Sequence, residues 1–221
     1  PQNQMVDSSL GLIQNPEIKI ELPDASIIDA HLANYTLSAT HMNRYLKCPI
    51  AFYYENLLRV PSTKSEAGCI GTAVHDALNY YFKNYKDEEQ LPSPMLLMSS
   101  VERKMNEQYI YFNKATFDKR LQNTKSYLLA YYERKKAQWQ SEKIFSTEKN
   151  LEAVIGATRI KGFLDKLVFD GNSVHVIDYK TGNPKNAISK MKGPDFNYEG
   201  EDITKKYGGE YWRQLMFYHF L

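Results

Sequence analysis

The sequence contains little cysteine and no long apolar run. Of its 221 residues, only Cys48 and Cys69 are cysteines. Two are too few for the disulfide framework of a secreted domain, so a cytoplasmic location is expected. No stretch approaches the roughly eighteen consecutive apolar residues of a membrane-spanning helix. The first residues show no charged segment followed by an apolar one, so no secretory signal is expected.

The sequence also lacks a strong excess of charge of either sign. With 28 Lys and Arg against 26 Asp and Glu, the formal net charge is +2. This excludes a protein that depends on a broad basic surface to hold its partner. Charge is uneven locally, because six lysines lie between Lys180 and Lys206. The polar segment 182–209 is expected to be either an ordinary surface loop or a loop that closes over a substrate.

Helical patterns fill most of the first two thirds of the chain. Residues 1–34 show no sustained period and are expected to form a tether with one short strand, 18–22. Ser38 and the Ser93-Pro94 pair are typical helix starts. The predicted helices cover residues 41–46, 50–57, 72–85, two segments between 94 and about 140, and a last segment from about 210. The apolar run 211–221 ends with the chain, which suggests a piece truncated at its C-terminus.

Strand patterns begin near residue 144. The predicted strands are 144–151, 153–160, 163–169 and 174–179. Helices, then a small sheet, then a helix indicate an α/β fold of the α+β kind. We expect a single domain over residues 35–221, with a helical insertion at about 86–142.

A hairpin brings two carboxylates together. If Gly171 and Asn172 form a two-residue turn, Asp165 faces Asp178, and Lys180 lies on the same face of the strands. Opposed side chains have Cβ atoms about 4.5–5.5 Å apart, so the two carboxylates would repel. A divalent cation between them would remove the repulsion. The alternative is a solvated face on which Asp165 pairs with Lys180, and a one-residue slip would separate the aspartates.

Five blocks in order resemble the PD-(D/E)XK nuclease superfamily, and most closely the RecB/AddB-type exonuclease domain. The hairpin supplies two of them, the segments 162–167 and 176–182. An opening block spans Leu37 to Tyr54 and includes Cys48-Pro49. Residues 71–75 are similar to the family's Gly-x-x-x-His helix, and Gln214 and Tyr218 to its Gln-x-x-x-Tyr helix. The resemblance implies a restriction-endonuclease-like core with a central antiparallel hairpin in a small mixed sheet.

The resemblance also implies roles for individual residues. Asp165 and Asp178 would ligate a metal together with His75 and the backbone carbonyl of Tyr179. Lys180 would orient the attacking water and offset charge on the phosphate. The residues expected to contact DNA are Thr181, Gln214 and Tyr218. From the sequence alone, Glu148 and Glu152 are further candidate ligands acting through water, and His175 is expected to be structural.

The implied cofactor is Mg²⁺ or Mn²⁺. Some relatives hold an iron–sulfur cluster with four cysteines, and Cys48 fits the first position. Because Cys69 does not lie at a cluster position and four thiolates are required, this chain alone does not support a cluster. No Walker-type loop is present, so a helicase-like region is expected in cis or in a partner subunit.

Together these features predict a divalent-metal-dependent, exonuclease-like DNA nuclease that is part of a helicase–nuclease protein of DNA repair and recombination. One alternative is a catalytically inactive DNA-binding or scaffold module of the same fold. Another is a metal-dependent hydrolase that acts on RNA.

Overall fold

The computed structural model describes residues 24–88 and 90–221. The predicted strand 18–22 lies outside them. The chain divides into two compact units, Pro1–Tyr35 and Thr36–Leu221. The described part of the first unit contains helix α1, Ala25–Leu32, capped by an Asp24 carboxylate that accepts the Ser26 N–H at 2.8 Å. The predicted tether therefore includes a helix. The expected boundary of the main domain at residue 35 stays a prediction.

The described part of the second unit contains a mixed four-stranded sheet. Its strands are β1 (Thr36–Leu37), β2 (Lys143–Ile155), β3 (Thr158–Asp170) and β4 (Ser173–Ile177). Strand β3 is central, because β2 and β4 pair with it antiparallel and β1 pairs with it parallel. The sheet is flanked by helices, so the expected α/β class with a small mixed sheet is confirmed.

The first sheet hairpin is longer than the sequence analysis predicts. Residues 144–151 and 153–160 are not separate strands, since the chain reverses only at Gly156, whose φ is +59°. This left-handed conformation is one that glycine adopts without penalty. Glu152 and Lys161 are polar residues that suggest strand ends when the sequence is read alone. In the structure they oppose each other within the β2–β3 ladder.

The helices confirm most of the predicted segments. The Ser38 hydroxyl caps α2 (Ala39–Lys47) by accepting the His41 N–H, and Ser93 with Pro94 starts α5 (Pro94–Glu107). Segment 182–209 contains two short helices rather than a continuous loop. The helices of the second unit are α2 (Ala39–Lys47), α3 (Pro49–Phe52) with a π-helical extension (Tyr53–Leu57), α4 (Glu66–Glu88), α5 (Pro94–Glu107), a 3₁₀ turn (Tyr109–Tyr111), α6 (Phe117–Ser141), α7 (Pro184–Lys190), α8 (Ile203–Tyr207) and α9 (Glu210–His219).

Two apolar clusters hold these elements together. The larger is built mainly from α4, α5 and α6, with Tyr81, Phe82 and Trp139 at most 1% exposed. The smaller joins α2, β3 and α9 through Ala39, Ile160 and Phe217. Helix α4 is thereby fixed by the first cluster and α9 by the second. Within the described residues, no helix combines the length and apolar character needed to cross a bilayer.

A charged side chain is buried in the larger core, directly after Asp165 in β3. Lys166 is 1% exposed, and its Nζ lies 2.6 Å from Oε2 of Glu142, which is 9% exposed. The ammonium group also lies 4.3 Å from the Phe82 ring centre. Burial lowers the pKa of Lys166, while the Glu142 carboxylate opposes that shift.

Removing one member of this ion pair is expected to destabilise the protein strongly. Lys166→Met should lower the free energy of unfolding by about 3–5 kcal/mol, because it leaves a buried carboxylate without its counter-charge. The double variant Lys166→Met/Glu142→Leu should recover most of the loss, since apolar side chains often replace a buried pair at little cost. Urea unfolding measures both. Equal stability of the single variant and wild type would contradict the prediction.

Candidate active site

Three separate parts of the fold supply polar side chains to one cleft of about 520 Å³. Asp165 projects from β3, and Asp178 and Lys180 follow β4. His75 comes from α4. Gln214 and Tyr218 come from α9. The structure thus brings together most of the predicted site residues, although they lie up to 143 positions apart in the chain (75 to 218).

The hairpin register follows the Gly171-Asn172 turn, as predicted, from Asp170 opposite Ser173 to Lys166 opposite Ile177. The ladder then stops, so Asp178 and Lys180 do not pair with Asp165 and Phe163 as expected. The ladder ends here because the Tyr179 N–H, which would bond to the neighbouring strand, is donated instead to Oδ2 of the Asp165 side chain at 2.7 Å. The aspartates are held near each other by this bond rather than by strand pairing.

Asp165 is held from two sides. Its Oδ2 accepts the Tyr179 N–H, and its Oδ1 lies 2.9 Å from Nδ1 of His75. Burial alone would lower the pKa of His75, but the hydrogen bond to Asp165 and the charges of Asp165 and Asp178 outweigh it, so that this pKa is raised. The imidazole therefore lies in a negative field, which also favours a bound cation.

Asp178 is held by two side chains of α9 and by Lys180, two residues further along the chain. Its Oδ1 lies 3.1 Å from Nε2 of Gln214 and 3.1 Å from the Tyr218 hydroxyl. Its Oδ2 lies 2.7 Å from Nζ of Lys180, which also donates to Oε1 of Gln214 at 2.9 Å. The anticipated alternative, an ion pair between Asp165 and Lys180, is not what the structure shows. Lys180 pairs with Asp178 instead.

Gln214 and Tyr218 hold the Asp178 carboxylate, a role that the sequence does not predict. Tyr218 accepts a hydrogen bond from Gln214 Nε2 at 2.6 Å, and its hydroxyl also lies 3.1 Å from the backbone oxygen of Phe163. The network fixes the Asp178 carboxylate. The four-residue spacing, which places both side chains on one helix face, was the available signal. Their predicted contact with DNA stays a prediction.

Gln214→Ala is expected to lower the apparent affinity for divalent metal about 10–100-fold, the range found when a group that orients a metal ligand is lost. Metal dependence of activity, titrated from low concentration, measures it. Gln122→Ala, at an exposed position of α6 outside the cleft, is the matched control. An unchanged metal titration in Gln214→Ala would show that Asp178 does not need this support.

Two other predicted residues contribute differently. The Tyr179 ring is only 9% exposed and packs edge-on against His75, with ring centres 6.0 Å apart. Burial raises the pKa of its phenol, so its side chain is part of the core. Thr181 is exposed and is not among the cleft-lining residues. Thr181 lies beside Gly71, one helical turn before His75 in α4. A Cβ atom placed on Gly71 would be 3.4 Å from the Thr181 hydroxyl oxygen.

The two candidate glutamates are separated by the structure. Glu148 adopts a left-handed backbone with φ +47° and accepts a hydrogen bond from the Asn79 amide. Burial and then the charge of Asp76 raise its pKa, and the charge of Asp165 adds to the effect. Glu152 is exposed and lies opposite Lys161. Glu148 is therefore the candidate close to the site.

The donor set suits a hard divalent cation. Two part-buried carboxylates and one imidazole face the same cleft, and carboxylate oxygens are the ligands that Mg²⁺ takes in proteins. Among the residues described, no group of three or more His, Cys, Asp or Glu side chains is already arranged as a metal centre. The reason is visible in the contacts, since His75 and Asp165 bond to each other while Asp178 bonds to Lys180 and Gln214.

Comparison with known families agrees with this geometry. No curated protein matches the chain. A family model of the PD-(D/E)XK nuclease superfamily matches residues 36–221 and so includes every residue of the cleft. Members of this superfamily are generally metal-dependent nucleases that use divalent ions. With the mixed sheet, the hairpin and the Asp165–Asp178–Lys180 cleft inside the matched region, the chain belongs to the PD-(D/E)XK nuclease superfamily.

Proposed function

We propose that this chain hydrolyses phosphodiester bonds of DNA in the cleft, with divalent metal and an exonuclease-like action. The observation that carries the proposal is the convergence of His75, Asp165, Asp178 and Lys180 from three separate elements into one cleft. A fold has no stability reason to place two carboxylates together in a part-buried site.

The residues that would hold the metal are His75, Asp165, Asp178 and the backbone carbonyl of Tyr179. The chemistry that a bound Mg²⁺ or Mn²⁺ supplies is activation of a water molecule and neutralisation of charge on the phosphate. If His75 is to bind the metal through Nδ1, its hydrogen bond to Asp165, 2.9 Å long, must break. Gln214 and Tyr218 would keep Asp178 oriented during that exchange.

Lys180 would act on the phosphate and on the attacking water. Its ammonium is anchored between Asp178 and Gln214 and lies 5.0 Å from the centre of the Tyr211 ring. A side chain held from three sides loses little freedom when substrate arrives, and so it can offset negative charge as it develops in the transition state. Gln214 and Tyr218 would contact the DNA strand inside the cleft. Thr181 would contact it beside Gly71, outside the residues that line the cleft.

The finer assignment is a RecB/AddB-type nuclease of a DNA repair and recombination protein that acts in the cytoplasm with a helicase-like region in cis or in a partner. Support comes from His75, at the end of the Gly71–His75 segment, and from Gln214 and Tyr218, which all line the cleft and follow one another along the chain in the order that the resemblance implies. Cys48 and Cys69 are both free thiols, which fits a reducing compartment.

Digestion of end-labelled linear DNA and RNA distinguishes the proposal from its alternatives. The protein should release products from DNA with Mg²⁺ or Mn²⁺ and none with EDTA. Binding of DNA without cleavage under all metal conditions would favour a scaffold module. Preferential cleavage of RNA would identify a different polymer as substrate.

A further inference from the structure

An aromatic side chain outside the cleft lies next to Lys180. Tyr211 is the second residue of α9, and its ring centre lies 5.0 Å from Nζ of Lys180. Tyr211 is not among the residues that line the cleft. The same ring centre lies 4.9 Å from Nζ of Lys190, the last residue of α7. One ring therefore contacts two ammonium groups, one of which belongs to the candidate active site.

The junction between α7 and α9 holds Tyr211 in place. The Gly209 N–H, just before α9, is donated to the Lys192 carbonyl at 2.8 Å. A Cβ placed on Gly209 would overlap the backbone of Lys190, so this close approach requires a glycine. The Lys190 ammonium lies 3.0 Å from Oε2 of Glu210, the first residue of α9. The end of α7 is thereby fixed against the start of α9, where the ring lies.

Glu210 offsets the charge of Lys190. Its hydrogen bond to the Lys190 ammonium is the main reason that the pKa of Lys190 is raised. Two cations beside one ring would otherwise repel each other and push Lys180 away from it. Because Glu210 compensates Lys190, the ring can attract the Lys180 ammonium.

An aromatic ring restrains Lys180 without neutralising it. The lysine has a flexible four-carbon stem, and its ammonium lies 2.7 Å from Oδ2 of Asp178 and 2.9 Å from Oε1 of Gln214. A further carboxylate would hold it more tightly but would cancel the positive charge that a phosphate needs. The Tyr211 ring attracts an ammonium through its quadrupole and carries no net charge. The charge of Lys180 therefore stays available to the substrate.

On this geometry, and resting on the proposed nuclease function, we propose that Tyr211 is a positioning residue for Lys180. Its ring holds the ammonium beside Asp178 by cation–π attraction, and the junction between α7 and α9 holds the ring. Tyr211 acts through Lys180 and not on the substrate, so it sets the rate of the chemical step and leaves DNA affinity unchanged. The 182–209 segment contributes to catalysis by fixing this ring.

Single-turnover cleavage of DNA with Mg²⁺, measured over a range of enzyme concentrations, tests the proposal. Tyr211→Leu should lower the maximal rate about 5- to 30-fold, the range that corresponds to one cation–π contact, with the half-saturating concentration unchanged. Tyr211→Phe keeps the ring and should stay within about twofold of wild type. A trifluorinated phenylalanine at this position keeps the shape but weakens the attraction for cations, and it should lower the rate as leucine does.

The matched control is Tyr198→Leu, because the Tyr198 ring centre lies 4.9 Å from Nζ of Lys205, a similar contact outside the cleft. It should cleave DNA at the wild-type rate. Equal rates with phenylalanine and its trifluorinated form would show that only packing matters at this position and would overturn the proposal. A changed half-saturating concentration with an unchanged maximal rate in Tyr211→Leu would also overturn it.

The double variant Lys180→Met/Tyr211→Leu shows whether the ring acts through the lysine. In the Lys180→Met background, Tyr211→Leu should cause no further loss, because the two residues work as one unit. A further loss as large as in the wild-type background would contradict the proposal. If wild type cleaves DNA and Tyr211→Leu cleaves it equally fast, only the role of the ring is lost. If wild type cleaves no DNA, the proposed function fails, and the role of the ring fails with it.

Discussion

Asp178→Asn is expected to abolish DNA cleavage, with kcat/KM falling about 10³-fold or more, a loss of about 4 kcal/mol of transition-state stabilisation. The amide has nearly the same shape and keeps one oxygen for Gln214 and Tyr218, which contact Oδ1 in the structure. It lacks the charge that a divalent cation requires, and it removes the counter-charge of Lys180 at Oδ2. The loss should therefore be chemical rather than structural.

The control for this prediction is Asp195→Asn, an exposed aspartate in the 182–209 segment that caps a local turn and does not line the cleft. It should cleave DNA like wild type. Thermal unfolding of Asp178→Asn should remain cooperative and close to wild type without metal. Retention of more than about a tenth of wild-type activity, a loss of only about 1.4 kcal/mol, would remove Asp178 from the catalytic centre.

Lys180→Met is expected to lower kcat about 10²–10³-fold, the effect of losing one preorganised group that stabilises developing charge. Methionine retains most of the side-chain length and its packing against the Tyr211 ring. Binding of Ca²⁺ and of DNA should change little, because the metal ligands and the other residues that line the cleft remain. Single-turnover cleavage with saturating enzyme isolates the chemical step.

The matched control is Lys185→Met, an exposed lysine of α7 that lies outside the cleft. It should leave the single-turnover rate unchanged. A rise in KM with an unchanged rate in Lys180→Met would assign Lys180 to substrate binding instead of catalysis. If Lys180→Met and Lys185→Met changed the single-turnover rate equally, Lys180 would have no specific role in catalysis.

The sequence predicts the local elements well where one physical rule dominates. The Gly171-Asn172 turn sets the register of the β3–β4 ladder, and side-chain caps mark the starts of α2 and α5. Prediction fails at Gly156, because the apolar pattern continues on both sides of the real turn and charged residues inside the ladder imitate breaks.

The sequence predicts which residues form the site but not the contacts between them. Asp165, Asp178, Lys180 and His75 follow from the motif and the resemblance. The early end of β4 does not, because it depends on a carboxylate that takes the Tyr179 N–H in place of a ladder partner. Support of Asp178 by Gln214 and Tyr218 depends on how α9 packs, which is a tertiary effect.

Sequence patterns also do not predict which polar side chains are buried together. Lys166 belongs to an alternating strand in which an exposed lysine would be ordinary, yet it is buried against Phe82 and paired with Glu142.

Anomalous scattering from crystals equilibrated with Mn²⁺ shows whether these residues bind metal. We expect a Mn²⁺ peak in the cleft bounded by Asp165, Asp178 and His75, with the hydrogen bond between His75 and Asp165 replaced, and no such peak in Asp178→Asn crystals. Crystals of protein that cleaves DNA with Mn²⁺ but shows no peak between these residues would contradict it.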